Sequence, residues 1–347
     1  MKTGKTAVIL TYPGIGDIVW HIPFFQGLAQ KADNKKIYLY SRKTTHAKEI
    51  LKYDKSIAKV SYLKETRQFI NTLKTFPNLI KNLRKERFTT LWIFHRSPRY
   101  AIAARISKIK NIYGFGLGTQ KFWLTTKKNI GHDMRKSDNI SKAKKFMNVF
   151  GIKFNLNTKI NLPKKIVEKK INKLNKFPKP WITIGFSCNK TAFIKKNVPY
   201  SFYRTWRPEY FSKLINLIKN NKKKITIFLI GAPNEFKLAK KILDYSNKKN
   251  IIIACHPLLT NLSIISESKF FLGNDSGPLN LSGALNIKSF GLFGASPPIK
   301  NIKNIFPICP PTGPVNPHKF GFNPISLEEG MDLIKPDFVF KKIKKYI

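Results

Sequence analysis

The chain has 347 residues, 42% of them hydrophobic, which is more than one ordinary compact domain needs and enough to fill two cores. Lys and Arg outnumber Asp and Glu by 65 to 18, a formal charge of +47 that draws phosphates, nucleic acid or an anionic membrane surface. No run approaches the roughly 20 apolar residues that span a bilayer, residues 7–10 are too short a run for a signal peptide, and Cys188, Cys255 and Cys309 lack the paired spacing that chelates zinc.

A soluble chain with reduced thiols and no metal site is therefore expected, located in the cytoplasm. Strand-like runs alternate with helical patterns throughout: residues 6–10, 36–40, 58–63 and 89–94 in the first half, then 181–186, 225–230, 251–254, 270–272 and 288–293. In the second half helices are predicted over 208–220, 234–245, 260–267 and 277–285, each following a strand. This is the rhythm of parallel sheets. The fold class expected is α/β, two Rossmann-like doubly wound domains facing a central cleft. Prolines at 163, 178 and 180 fall in a stretch without a strong strand, so the domains are placed at 1–165 and 166–325. A proline-rich loop over 296–324 precedes a final helix at 326–347, broken near Pro336. That helix alternates apolar residues with lysines, a pattern suited either to packing back across the domains or to resting on an anionic bilayer.

Open α/β sheets bind ligands beyond the carboxyl ends of their strands, so the loops after strands carry the chemistry. The first is Tyr12-Pro13-Gly14-Ile15-Gly16-Asp17, leading into a helix predicted to begin at Asp17. Its glycines allow a sharp turn, and a helix N-terminus offers unpaired amides to an anion. A dinucleotide fingerprint needs Gly or Ala at position 19, which is Val19, so an NAD-dependent nucleotide-sugar enzyme is the weaker reading. Asp17 is either a helix cap or a general base at a strand's end. A second Gly-rich turn runs through Gly273-Asn274-Asp275-Ser276-Gly277-Pro278, then Leu279-Asn280, and the block closes at Leu292-Phe293-Gly294. The free amides near Ser276 and Gly277 make a cradle for a diphosphate.

This block resembles the signature of the lipopolysaccharide heptosyltransferases, glycosyltransferase family 9. Gly16, Asp17 and Pro23 are similar to that family's first loop. Arg204-Thr205-Trp206-Arg207-Pro208 and Gly231-Ala232-Pro233-Asn234-Glu235 match two further segments in the same order, so the resemblance covers nearly the whole chain. It implies a GT-B architecture and an inverting, metal-independent glycosyltransferase that uses ADP-heptose and no cofactor. In that role Asp17 is the catalytic base, Arg204 contacts the diphosphate and Glu235 the ribose or base. Asp275, Ser276 and Gly277 lie around the phosphates and sugar. The family's His is Asn280 here, which hydrogen-bonds but cannot become a cation, and its usual Lys is Arg204, which gains a bidentate fork.

On the acceptor side, basic residues follow the first-half strands: Arg42 with Lys43, Arg96, Arg99, Lys121 beside Trp123, and Lys127 with Lys128. They are expected to converge near Gly16 and Asp17 as a positive floor for an anionic glycolipid at the inner membrane face, with Arg42, Arg96 and Arg99 as the specific contacts. His256 and His318 have no partner pattern and read as structural or surface residues. The charge alone also fits a nucleic-acid-binding protein, but no RNA or DNA motif accompanies it, and no specific nucleic-acid partner is expected.

Overall fold

The computed structural model describes residues 3–63, 69–188, 204–222, 224–246, 249–294, 296–298, 301–311 and 327–347; for residues 69–74 and 327–329 only the backbone is described. His318 and residues 312–324 of the expected proline-rich loop lie outside these. The chain divides into two compact units, Met1–Thr158 and Lys159–Ile347.

In the first unit the chain runs β1 (Thr6–Ile9), α1 (Ile15–Ala29), β2 (Ile37–Ser41), α2 (Ala47–Ile50), β3 (Ile57–Tyr62), α3 (Phe69–Glu86), β4 (Thr90–Ile93), α4 (Arg99–Ile106), β5 (Asn111–Gly114) and α5 (Asn139–Val149). The five strands are parallel, in the order β3-β2-β1-β4-β5. β1 and β4 are buried along their whole length, as strands covered on both faces must be. An aromatic layer of Phe24, Phe94, Phe115 and Phe146 fills the space between sheet and helices, each ring less than 2% exposed.

The second unit holds α6 (Lys164–Ile171), β6 (Trp181–Gly185), α7 (Pro208–Asn221), β7 (Thr226–Ile230), α8 (Phe236–Asp244), β8 (Ile251–Ala254), α9 (Leu258–Ser266), β9 (Phe270–Asn274), α10 (Gly277–Ala284), β10 (Ser289–Leu292), β11 (Ile305–Ile308), α11 (Leu327–Asp332) and α12 (Pro336–Ile343). Its six parallel strands are ordered β11-β10-β9-β6-β7-β8. Both sheets thus reverse direction at one point, between β1 and β4 and between β6 and β9. At such a point the flanking connections diverge to opposite faces and leave a crevice at the carboxyl edge.

Three expectations are corrected. β5 and β11 were not expected as strands: β5 has only two bulky apolar residues, Ile112 and Tyr113, and β11 contains Pro307, which an edge strand tolerates because its missing amide faces away from the ladder. β11 lies inside the stretch expected to be a proline-rich loop. The first helix starts at Ile15, not Asp17, because Asp17 occupies the third helical position and reaches back to the Gly14 amide.

The final segment packs inside the second unit. Val339 and Ile343 of α12 are fully buried in its core beside α7, while Lys341, Lys342, Lys344 and Lys345 are exposed. Trp206 joins the same core: it is fully buried, its indole N–H donates to the Ile334 carbonyl at 2.8 Å, and its ring meets Phe211 edge-on at 5.2 Å. Trp206→Ala leaves a cavity and an orphaned carbonyl, and is expected to cost about 3–5 kcal/mol. Guanidinium denaturation followed by circular dichroism measures this; an unchanged midpoint would show that Trp206 anchors nothing.

Candidate active site

In the first unit, the loops after β1, β2 and β4 and the start of α5 form one cluster. Asp17 is held at both carboxylate oxygens. Oδ2 accepts from the Gly14 N–H at 3.0 Å, and Oδ1 accepts from Asn139 Nδ2 at 3.3 Å. Burial raises its pKa above the ordinary carboxylate value, with the Gly14 amide and the Asn139 side chain pulling the other way. A carboxylate so placed takes up a proton more readily than one in water, as a general base requires. The helical position of Gly16, one residue before Asp17, directs the chain from the turn into α1.

His21, one helical turn on, is fully buried among Phe24, Phe25 and Phe94. Its Nδ1 lies 2.6 Å from the Asp17 carbonyl, which can only accept, so Nδ1 carries the proton. Burial lowers its pKa to about 4, and the ring is neutral at physiological pH.

The three arginines singled out in the sequence do come together. Arg99, Arg42 and Arg96 all act on His95, whose pKa falls to about 4, first through burial and then through these charges. The Ser97 N–H donates to His95 Nδ1 at 3.0 Å, which leaves the proton of the neutral ring on Nε2. Arg99 also lies over the Tyr100 ring, 4.6 Å from its centroid. Thr44 ties the Arg42 turn to the first loop by donating to the Pro13 carbonyl at 2.8 Å. Tyr12 links the acid to the cations: its pKa is raised by burial and then by Asp17, while Arg96 opposes. Lys142 of α5 belongs to the same neighbourhood, its pKa lowered by burial and by Arg96. Lys121 and Lys128 lie over the rings of Phe122 and Phe150.

Asn139, His95 and Lys142 were not singled out from the sequence. Asn139 and Asp17 are 122 positions apart, and packing of α1 on α5 is what joins them. The run Asp138-Asn139 carries the local signal of a helix start, and Asp138 does cap α5 by accepting from the Ile140 and Ser141 amides.

In the second unit the loops that follow β6 and β9 sit at the switch point. Asn274 is fully buried and staples them, donating to the Phe186 carbonyl at 3.0 Å and accepting from the Trp206 N–H at 3.1 Å. This fixes the segment that begins at Arg204, whose backbone is left-handed at φ 58°. Arg204 pairs with Asp275 at 2.9 Å, and Ser296 Oγ donates to the same Asp275 oxygen at 2.6 Å. Asp275 is thus a neutralised acid that aims a guanidinium. Ser276 occupies the cap position of α10 without bonding its amides, and its buried hydroxyl has no partner among the described residues. Gly277 opens that helix with Pro278 behind it, which leaves the first-turn N–H groups for an anion. Asn280 is buried and donates to the Ser276 carbonyl at 2.8 Å, so it braces the turn from within.

Glu235 is nearly covered. Its Oε2 accepts from the Ala232 N–H and the Ser187 hydroxyl, each at 2.7 Å, and burial raises its pKa against those two bonds. The acid therefore joins the loop after β7 to the loop after β6.

A model of glycosyltransferase family 9 (heptosyltransferase) matches residues 77–305. The lipopolysaccharide heptosyltransferase 1 of Campylobacter coli is 37% identical to this chain over 92 residues, 25% of this chain and 27% of that relative. The chain thus aligns with only about a quarter of the length of that curated relative. Among solved structures, the E. coli ADP-heptose lipopolysaccharide heptosyltransferase II superposes with a TM-score of 0.72 at 15% identity, covering 99% of this chain and 98% of that one. The family 9 glycosyl transferase of Veillonella parvula gives 0.75 at 14% identity over 100% and 98%. The E. coli heptosyltransferase WaaC with ADP-2-deoxy-2-fluoro heptose gives 0.68 at 13% identity over 99% and 100%. At these identities the likeness is one of fold, an α/β chain with two parallel sheets as in the GT-B heptosyltransferases.

The Asn139 contact can be tested by titration. The Asp17 carboxyl, followed by carbon NMR, is expected to titrate above the ordinary value of about 3.9. Asn139→Leu removes a donor to the ionised form and should move the midpoint further up; an unmoved midpoint means that the contact does not hold the carboxylate.

Proposed function

The chain belongs to glycosyltransferase family 9, the heptosyltransferases, and from that membership we propose that it transfers a heptose from ADP-heptose to an anionic lipopolysaccharide-core acceptor with inversion at the anomeric carbon. The observation that carries this reading is the buried, doubly held Asp17 carboxylate at the first switch point, with Tyr12 between it and the arginines gathered around His95.

In the proposed reaction Asp17 takes the proton of the acceptor hydroxyl as its oxygen attacks the anomeric carbon. The bond from that carbon to the diphosphate oxygen breaks, and the electron pair leaves with ADP. Attack opposite the leaving group inverts the configuration. Arg204, aimed by Asp275, and the amides at the start of α10 stabilise the negative charge on the departing diphosphate. These donors can supply the charge stabilisation that a divalent ion gives elsewhere, which supports a metal-independent transfer.

Glu235 has its Oε2 committed to the Ala232 amide and Ser187. Its proposed part is to hold the rim on which the ribose or base rests. Asn280 acts in the same indirect way, by bracing the turn at Ser276. Arg42, Arg96 and Arg99 meet phosphates or carboxylates of the acceptor, and the neutral His95 adds an Nε2–H donor among them. Because the acceptor is a glycolipid, the enzyme works peripherally at the inner face of the cytoplasmic membrane.

Asp17→Asn should abolish transfer, with at least about a hundredfold loss in kcat, while ADP affinity measured by calorimetry stays close to wild type. Full turnover in this variant would remove the proposed base. Arg204→Ala should weaken ADP binding about tenfold and leave adenosine binding nearly unchanged; an equal loss for both ligands would show that Arg204 does not read the diphosphate.

A further inference from the structure

Among the described residues seven large hydrophobic side chains are exposed, and three of them gather beside β5. The chain leaves β5 into a 3-10 turn, Gly118–Trp123, that runs along this edge strand. Phe122 is 72% exposed, Trp123 40%, and Ile106, at the end of α4, 41%. Single exposed apolar residues need no explanation, but two adjacent aromatic rings presented by a fixed turn do.

The turn is pinned at both ends. Gln120 is fully buried, accepts from the Gly116 N–H at 2.9 Å and donates to the His95 carbonyl at 2.7 Å. Arg105 donates to the Trp123 carbonyl at 3.0 Å and the Leu124 carbonyl at 2.7 Å. Beyond the rings, Thr125 pairs with Ile112 of β5 through its amide and its hydroxyl. Phe122 and Trp123 are therefore displayed on a turn held at both ends, and the turn is joined through Gln120 to the loop that carries His95 and Ser97.

Along the chain around the rings, charge is of one sign, and Lys121 lies over the Phe122 ring itself. Between Glu86 and Asp133 the chain has no acidic residue and nine Lys or Arg. Lys108, Lys110, Lys121, Lys127 and Lys128 are all exposed. Exposed Trp and Phe framed by lysines fit the headgroup boundary of an anionic bilayer, where aromatic rings enter the interface and cations meet lipid phosphates. A second copy would set like charges against each other.

We propose that the Phe122–Trp123 turn, with the lysines around it, is the surface by which the first unit docks on an anionic phospholipid bilayer. The docking surface continues into the cationic loops around His95, so a membrane-embedded acceptor would be met by the same unit that binds the bilayer. This last consequence rests on the proposed transfer reaction; the docking itself does not.

The test uses the full chain and sedimentation with vesicles of phosphatidylcholine and phosphatidylglycerol, or of phosphatidylcholine alone. Wild type should bind the anionic vesicles, lose most binding in high salt, and bind the zwitterionic vesicles at least about tenfold more weakly. Phe122→Ser and the double variant Phe122→Ser, Trp123→Ser should reduce binding about tenfold or more, while Phe236→Ser, at an exposed ring of the second unit, should not. Phe122 is exposed enough that its single variant keeps the fold, and unchanged ADP affinity verifies this. Vesicle binding unaffected by both variants overturns the proposal, as does equal binding to both vesicle types. A wild-type dimer that the variants convert to monomer, without vesicle binding, assigns the surface to a second copy instead. Transfer to a water-soluble acceptor fragment, measured in the same variants, should stay at the wild-type rate. Its loss in wild type would count against the transfer reaction and not against docking.

Discussion

Each sheet of this chain winds outward in both directions from one pair of neighbouring strands, and that constraint decides where chemistry is available. Between β1 and β4, and again between β6 and β9, the strand order reverses, and at such a point successive connections depart to opposite faces. Asp17 and His95 follow the first pair, and Ser187 and Asp275 follow the second. Asp17 and the turn that opens α10 thus arise from the same winding rule applied twice, with different side chains placed on it.

The second theme is how a chain of +47 charge manages its few acids. Most of the lysines are solvated and do not report function. Three acids that follow strands are each held by specific donors: Asp17 by an amide and an asparagine, Glu235 by an amide and a serine, Asp275 by an arginine and a serine. Two of them, Asp17 and Glu235, are buried enough for their pKa values to rise. Asp275 is different in kind. Its carboxylate is matched by Arg204 and Ser296 and orients the guanidinium.

Much of this was legible in the sequence. Alternation of strand and helix patterns yielded the two-sheet fold, and Gly-rich turns after strands marked both switch points. The arginines could be chosen because arginine is scarce here and lysine is not. What could not be read was whatever depends on packing between distant segments. Asn139 meets Asp17 only because α1 lies on α5, and no local pattern encodes that. The edge strands β5 and β11 are short, and Pro307 reads as a breaker until its edge position is known. The start of α1 was misplaced by two residues because Asp17 resembles a first cap, whereas it caps backwards from inside the helix.

That backward cap gives Gly14 a meaning its place in a glycine-rich turn would not suggest. Its φ is −89°, a value open to any residue, so backbone freedom is not what the position demands. A methyl group there would instead sit 2.9 Å from Asp17 Oδ2, the oxygen that the Gly14 amide holds. Any larger residue would leave the sheet, the helix and the arginines in place while swinging one carboxylate aside. Saturation of this codon would separate the fold of the first loop from the seating of the acid, because the contact at stake is with the Asp17 side chain and not with backbone.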